Sequence, residues 1–278
     1  MAVRPPPSSP APPKRRTALL TGLVDPRVHP QGLDDRDLET LLLFGVTGVV
    51  VVADATATPR SPEGLFAHFE HLLEKELPRL QRAGLKAWAA LGVHPAVVPR
   101  RGLLHVLETL PSFLSGGRVV ALGLLGLSRG GEHEEEALLE QLALARRFNL
   151  PALVTTPAAE REAVTRRLLT VLRSAKLPAE RILVDGAVGR TVRIIRELGF
   201  HAGLTLHPDH LTVERAVSLV RQLGPERLVL SSAAGDGASE LLALSRAANR
   251  LLAAGLSRRV AERVARDNAA ALLGLHVG

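Results

Sequence analysis

Cysteine is absent from this 278-residue chain, which excludes both a disulfide framework and any cysteine-ligated zinc site. Long apolar runs are missing as well. The longest, Leu41 to Ala53, is shorter than the roughly 20 residues that span a bilayer, and Gly45 and Gly48 interrupt it. It reads as a helix end followed by a buried strand, and no membrane partner is expected. At the amino terminus Arg4 precedes a run of prolines where a secretory signal would carry an apolar stretch, so cytoplasmic location is the default expectation. No G-x-G-x-x-G follows the first apolar run, and no P-loop occurs anywhere. The sequence signatures of dinucleotide and nucleoside-triphosphate sites are therefore missing.

What is present is an ordinary globular composition, 46% hydrophobic and 23% charged, in a chain long enough for one barrel-sized domain of about 250 residues. The formal charge is +7, but Arg4, Lys14, Arg15 and Arg16 supply four of those charges inside an acid-free first stretch, which leaves +3 for the rest. A solvated basic surface explains that balance better than a nucleic-acid footprint. Residues 1–16, MAVRPPPSSPAPPKRR, have too few large apolar side chains to bury a core and are expected to form a disordered tail or tether. A proline-rich ligand for a partner groove is the sharper alternative.

From Thr17 to Gly278, short Val/Leu/Ile runs alternate with stretches of helical period, the pattern of βα units around a parallel sheet. The expected strands are Ala18 to Val24, Gly48 to Ala53, Leu85 to Val93, Val119 to Leu125, Ala152 to Thr155, Ile182 to Val184, Ala202 to Leu206 and Leu228 to Ser231. Their uninterrupted apolar character implies burial on both faces. The count of eight favours a closed TIM-type (β/α)8 barrel over an open doubly wound sheet, with extra helices closing the carboxyl end. Among those closing helices, Gly255 is expected as a C-cap and Asp267 as an N-cap.

In such barrels the chemistry sits where strands end. The first strand runs into Val24-Asp25-Pro26-Arg27-Val28-His29-Pro30, and residues two apart on a strand share a face, so Arg27 and His29 should turn to the mouth together. Further pieces at predicted βα junctions are Gly92-Val93-His94-Pro95, Val119-Val120-Ala121-Leu122-Gly123, Gln141-Leu142-Ala143-Leu144-Ala145-Arg146 with Leu150-Pro151, Ser231-Ser232-Ala233-Ala234-Gly235-Asp236-Gly237, and Asp267-Asn268-Ala269-Ala270. In their order and spacing these resemble the TatD-like metal-dependent hydrolases of the amidohydrolase superfamily, and within them a subgroup with a D-P-H-x-H segment. The resemblance runs from about Leu23 to Gly274.

The resemblance implies one or two divalent cations held by a His-x-His pair, a Glu after the fourth strand, a His after each of the fifth and sixth, and an Asp after the eighth. On this chain those positions fall on Arg27 and His29, Leu124, Thr155, Gly186 and Gly235, with Asp236 one place late. Only His29 is retained. A catalytic zinc site needs about three protein ligands and an open position, and without the cation no bound water is acidified to a pKa of about 7. Arg27 is expected to repel a dication and to pair with one of Asp25, Asp54, Asp185 or Asp236, a structural role favoured over anion binding. His94 and His207 follow the third and seventh strands and could in principle join His29 in a new metal site, although their spacing carries no ligand signature. His68 and His71, three apart on a helix, read as ordinary surface residues, and Ser231 and Ser232 as loop residues.

The expectation is a catalytically degenerate hydrolase homologue, a pseudoenzyme that binds or scaffolds through the barrel or its former pocket. Its candidate ligand-binding residues are Arg27, His29, His94, His207 and Asp236, and its candidate partners are another protein, an active paralogue or a small anion. No cofactor is expected. The alternatives are an active metal-dependent hydrolase using Zn²⁺, Mn²⁺ or Mg²⁺ on nucleic acid or a small ester or amide, and a weak nucleic-acid-binding module using the basic tail.

Overall fold

A computed structural model describes residues 19–53, 61–157 and 161–277. The expected tail therefore lies outside the described residues, as does Asp54. Eight parallel strands follow one another around the sheet in chain order: β1 (Leu23–Val28), β2 (Val46–Val52), β3 (Lys86–Leu91), β4 (Val119–Gly126), β5 (Ala152–Thr155), β6 (Ile182–Asp185), β7 (His201–Thr205) and β8 (Leu228–Ser231). A bridge between Val28 and Ala234 closes the ring, with the His29 N–H donating to the Ala234 carbonyl at 2.8 Å.

Alternation along each strand produces two cores, because successive side chains point to opposite faces. Val24, Val50, Val52, Ala90, Ala121, Leu124, Leu153, Leu183 and Val229 fill the barrel interior. Leu23, Val49, Val51, Leu91, Leu122, Val154, Ile182, Val184, Leu204 and Leu230 face the helix ring. Both sets are buried, which is why the strands read as continuous apolar runs.

The ring is built from α1 (Asp35–Leu43), α2 (Pro62–His71), α3 (Leu77–Arg82), α4 (Leu103–Thr109), α5 (Glu132–Arg147), α6 (Arg161–Ser174), α7 (Arg190–Glu197) and α8 (Val213–Leu223). The closing helices are α9 (Ala243–Ala253), α10 (Arg258–Glu262) and α11 (Asn268–Leu273). Through Ala269, Ala270 and Leu273 the last of these joins the interior core. Local chemistry sets the starts. Asp34 and Asp37 form a reciprocal capping box on α1, and Ser61, Thr212 and Ser257 accept backbone N–H groups at the heads of α2, α8 and α10, each satisfying an orphan donor of the first turn.

Three expectations change. β1 starts at Leu23, five residues later than expected, and continues to Val28 through Pro26. The β1–β2 register shifts between Asp25 and Val28, and a proline, lacking an N–H, is tolerated at such an irregularity. Between the second and third strands the helical period of the sequence predicts a helix from Leu65 to Ala83; it starts at Pro62 and passes through a π-type turn at Leu72–Glu76 on its way from α2 to α3. Pro78 removes one helical donor there, and the wide turn absorbs the loss. Asp267 is no cap, since its backbone is helical, its side chain caps nothing and its carboxylate accepts from Arg266 Nε at 2.7 Å. Gly255, by contrast, takes the left-handed conformation (φ +83°) just after α9, as expected of a residue that ends a helix. Among the described residues, no helix is long and apolar enough to cross a membrane.

Candidate functional site

Each of the last four strands closes an apolar stretch on a polar residue, Thr155, Asp185, Thr205 and Ser231, although β7 also opens on His201. Register sets Thr155 beside Asp185 and Thr205 beside Ser231, so the carboxyl rim of β5 to β8 is a polar arc above an apolar interior. Asp185 is its centre. The Thr205 and Ser231 hydroxyls donate to its Oδ1 at 2.8 and 3.3 Å, while Oδ2 receives Arg27 Nη1 at 3.0 Å.

Arg27 reaches that carboxylate from the opposite edge of the sheet, near the end of β1, and both groups are buried. Its Nη2 lies 3.8 Å from Asp236 Oδ2, and its Nε donates to His29 Nε2 at 3.3 Å. Arg27 and His29 thus do turn the same way. A guanidinium N–H only donates, so His29 Nε2 must present its lone pair, and that lone pair points at a cation already in place.

Below this pair, Asp25 is fully enclosed. It accepts N–H bonds from Arg27 and Ser232, both at 3.2 Å, and a hydroxyl bond from Ser232. Burial pushes its carboxyl up to about 6, against the lowering effect of the Ser232 and Arg27 hydrogen bonds. Removing a carboxylate from water disfavours its charged form by more than these donors return.

Leu124 lies inside the barrel among Val50, Ala90 and Leu153. Thr155 is buried at the end of β5. Gly186 follows β6 with φ +71°, and a Cβ there would come within 2.7 Å of Thr156 Oγ1 and 3.0 Å of the His210 ring. Gly235 is tighter still. It has φ +85°, and a Cβ would sit 1.9 Å from the His29 carbonyl oxygen, so no aspartate fits there without moving the backbone. The residue that stands immediately after β8 and meets β1 is Ser232, through Asp25.

The remaining histidines do not assemble. His94 caps the short turn Pro95–Val97, its Nδ1 accepting from the Ala96 N–H at 3.2 Å. His207 is buried, with Nδ1 accepting from the Asp209 N–H at 3.2 Å and its ring edge-on to His210. His68 is buried next to Phe69 instead of lying on the surface, while His71 bonds Glu76. Among the described residues, no three His, Asp or Glu side chains form a group able to hold a metal ion, which removes the His29, His94 and His207 site considered from sequence. Sequence reasoning passed over Thr205, Ser231 and Ser232 as site members. The signal that would have found them was the polar residue closing each apolar strand.

Residues 25–233 match the family described as TatD related DNase. The chain belongs to the TatD-related DNase family. The TatD-like protein of Archaeoglobus fulgidus is 30% identical, with a TM-score of 0.76 over 91% of this chain and all of that one. A Methanocaldococcus jannaschii protein described as an uncharacterized metal-dependent hydrolase is 29% identical over 225 residues, 81% of this chain and 88% of that one. A TatD homologue from Escherichia coli K12, at 22% identity and TM-score 0.67 over 92% of this chain and 99% of that one, shares the fold.

TatD-like proteins are expected to hold divalent metal, and the residues here do not suit one. Besides His29, the positions that the resemblance assigns to ligands carry a guanidinium, a leucine, a threonine and two glycines. The one retained imidazole accepts from Arg27, and both oxygens of the nearest buried carboxylate are engaged.

Proposed function

We propose that this TatD-family barrel is a catalytically degenerate member that acts as a binding or scaffold protein through its former active-site mouth. The observation that carries this reading is the position of the Arg27 guanidinium, 3.0 Å from Asp185 Oδ2 and 3.3 Å from His29 Nε2. Arginine stays protonated at every usable pH, so a dication brought to His29 would face an adjacent positive charge in a poorly screened site. The internal cation neutralises Asp185 in the place of an external one. Partners in keeping with such a mouth are a small anion, another protein or an active paralogue.

The second reading is an active metal-dependent hydrolase with an atypical site, favoured by the family match and by the description of the Methanocaldococcus relative as metal-dependent. Elemental analysis separates the two. The full chain is incubated with Zn²⁺, Mn²⁺ or Mg²⁺, desalted, and assayed for bound metal and for cleavage of single-stranded DNA and a chromogenic phosphodiester. Substoichiometric metal and no turnover are expected, whereas one tightly held equivalent with metal-dependent cleavage establishes the hydrolase reading.

A further inference from the structure

Beside the mouth, where the loops after β3 and β4 meet, a cleft of about 470 Å³ is lined by Pro95, Ala96, Val98, Arg100, Ser128, Arg129, Gly131, His133 and Glu134. Its volume is that of a small-molecule site. A neighbouring hollow of about 460 Å³ shares Val98 and Arg100 and adds Arg101. The three arginines are exposed, and among the described residues none of them forms an ion pair. On α6 nearby, Arg166 and Arg167 each meet a glutamate, whereas the three rim arginines meet none among the described residues.

Carboxylates close at hand are turned to other work. Glu134, the only acid lining the cleft, accepts the N–H groups of Ser128, Arg129 and Gly130 at 2.8, 3.0 and 3.1 Å. Glu135 pairs with Arg167 on α6, and Glu132 lies outside the lining. The 16-residue α5 also begins at this wall, and Glu132, Glu134 and Glu135 in its first turn offset the positive end of the helix, so the arginines carry the charge of the rim.

We infer that this cleft binds a small molecule carrying two or more anionic groups, phosphate or carboxylate, held by Arg100 and Arg129 with Arg101 at the outer edge. Guanidinium groups suit both chemistries because each presents paired donors in a plane, and a cleft of this volume favours a compact ligand over a polymer laid across the surface. The site does not involve Arg27. A metal ion found at the mouth would overturn the degenerate-enzyme reading and leave the cleft untouched.

The test is isothermal titration of the full chain with pyrophosphate and, separately, citrate at matched ionic strength, with Arg100→Gln/Arg129→Gln and a remote control, Arg215→Gln on α8. One-to-one saturable binding of at least one probe is expected, weakened about tenfold or more in the double variant, as the loss of charge-assisted bonds requires, and unchanged in the control. The stronger probe identifies the anionic chemistry. Both variants alter exposed side chains, and circular dichroism checks their folding. The proposal is overturned if neither probe saturates, if the double variant binds as the parent does, or if only a DNA oligonucleotide binds.

Discussion

Arg27 and Asp185, 158 residues apart in the chain, meet across the barrel mouth at 3.0 Å with nearly all solvent excluded from both side chains. The contact joins β1 to β6 where no backbone hydrogen bonds connect those strands.

Breaking this pair from one side should cost more than removing it whole. Arg27→Ala leaves a buried carboxylate without its cation, and truncation of one partner of a buried pair costs about 3–5 kcal/mol. Arg27→Ala/Asp185→Asn should recover part of that loss in urea denaturation. Equal stability of the parent and the single variant would show that the pair does not compensate Asp185.

Asp25 should make stability depend on pH in the direction opposite to a salt-bridged acid. Burial raises its folded carboxyl to about 6 from an ordinary value of 3.8, so between those values the folded state holds the proton that the unfolded state has lost. Stability therefore falls as pH rises from about 4 to about 6, by on the order of 3 kcal/mol from this group. Denaturation midpoints at the two ends of that window should differ less in Asp25→Asn; an undiminished difference would assign the effect to other groups.

Rebuilding ligands should succeed with an aspartate at Ser232, directly after β8, and not at Gly235. Arg27→His/Leu124→Glu/Thr155→His/Ser232→Asp should gain thermal stability on addition of Zn²⁺, because the metal would hold charges otherwise buried without a partner. Adding Gly235→Asp should lower the melting temperature, since its Cβ meets the His29 carbonyl at 1.9 Å. A folded four-site variant with no response to Zn²⁺ would show that these positions do not converge.

Gln141 ties α5 to the end of β3. Its Oε1 accepts from the Val93 N–H at 2.7 Å, and its Nε2 donates to the Val93 and Ala137 carbonyls at 3.3 and 3.0 Å. Gln141→Leu leaves the Val93 groups without these bonds, at about 1–3 kcal/mol for each buried group left unpaired. Hydrogen exchange at the Val93 amide should accelerate accordingly, and unchanged protection would mean that the loop finds other partners.

The barrel was legible because burial on both faces writes itself into composition. Strands such as Val46–Val52 and Ile182–Asp185 are apolar almost throughout, and the helices between them carry recognisable starts such as Ser61 and Thr212. Boundaries were less legible where one residue admits two backbone states. The sequence places the end of β1 at Val24, short of Pro26, and reads Asp267 as a helix start. In both cases neighbours in space decided the outcome, β2 through its shifted register and Arg266 through its bond to the carboxylate.

For the site, the residue types at Arg27, Leu124, Thr155 and Gly186 already speak against a bound dication, because coordination chemistry depends on what a side chain is before it depends on where it lies. Which acid would answer Arg27 was not decidable in that way. Four aspartates stood at expected strand ends, and closure of the ring brought Asp185 to hydrogen-bonding distance of Arg27 while Asp25 was taken up by Ser232. The same closure set the Gly235 backbone against His29. A charge pair and a steric limit are functions of distance, and separations across a barrel are set by how the whole sheet curls, which no local stretch of residues encodes.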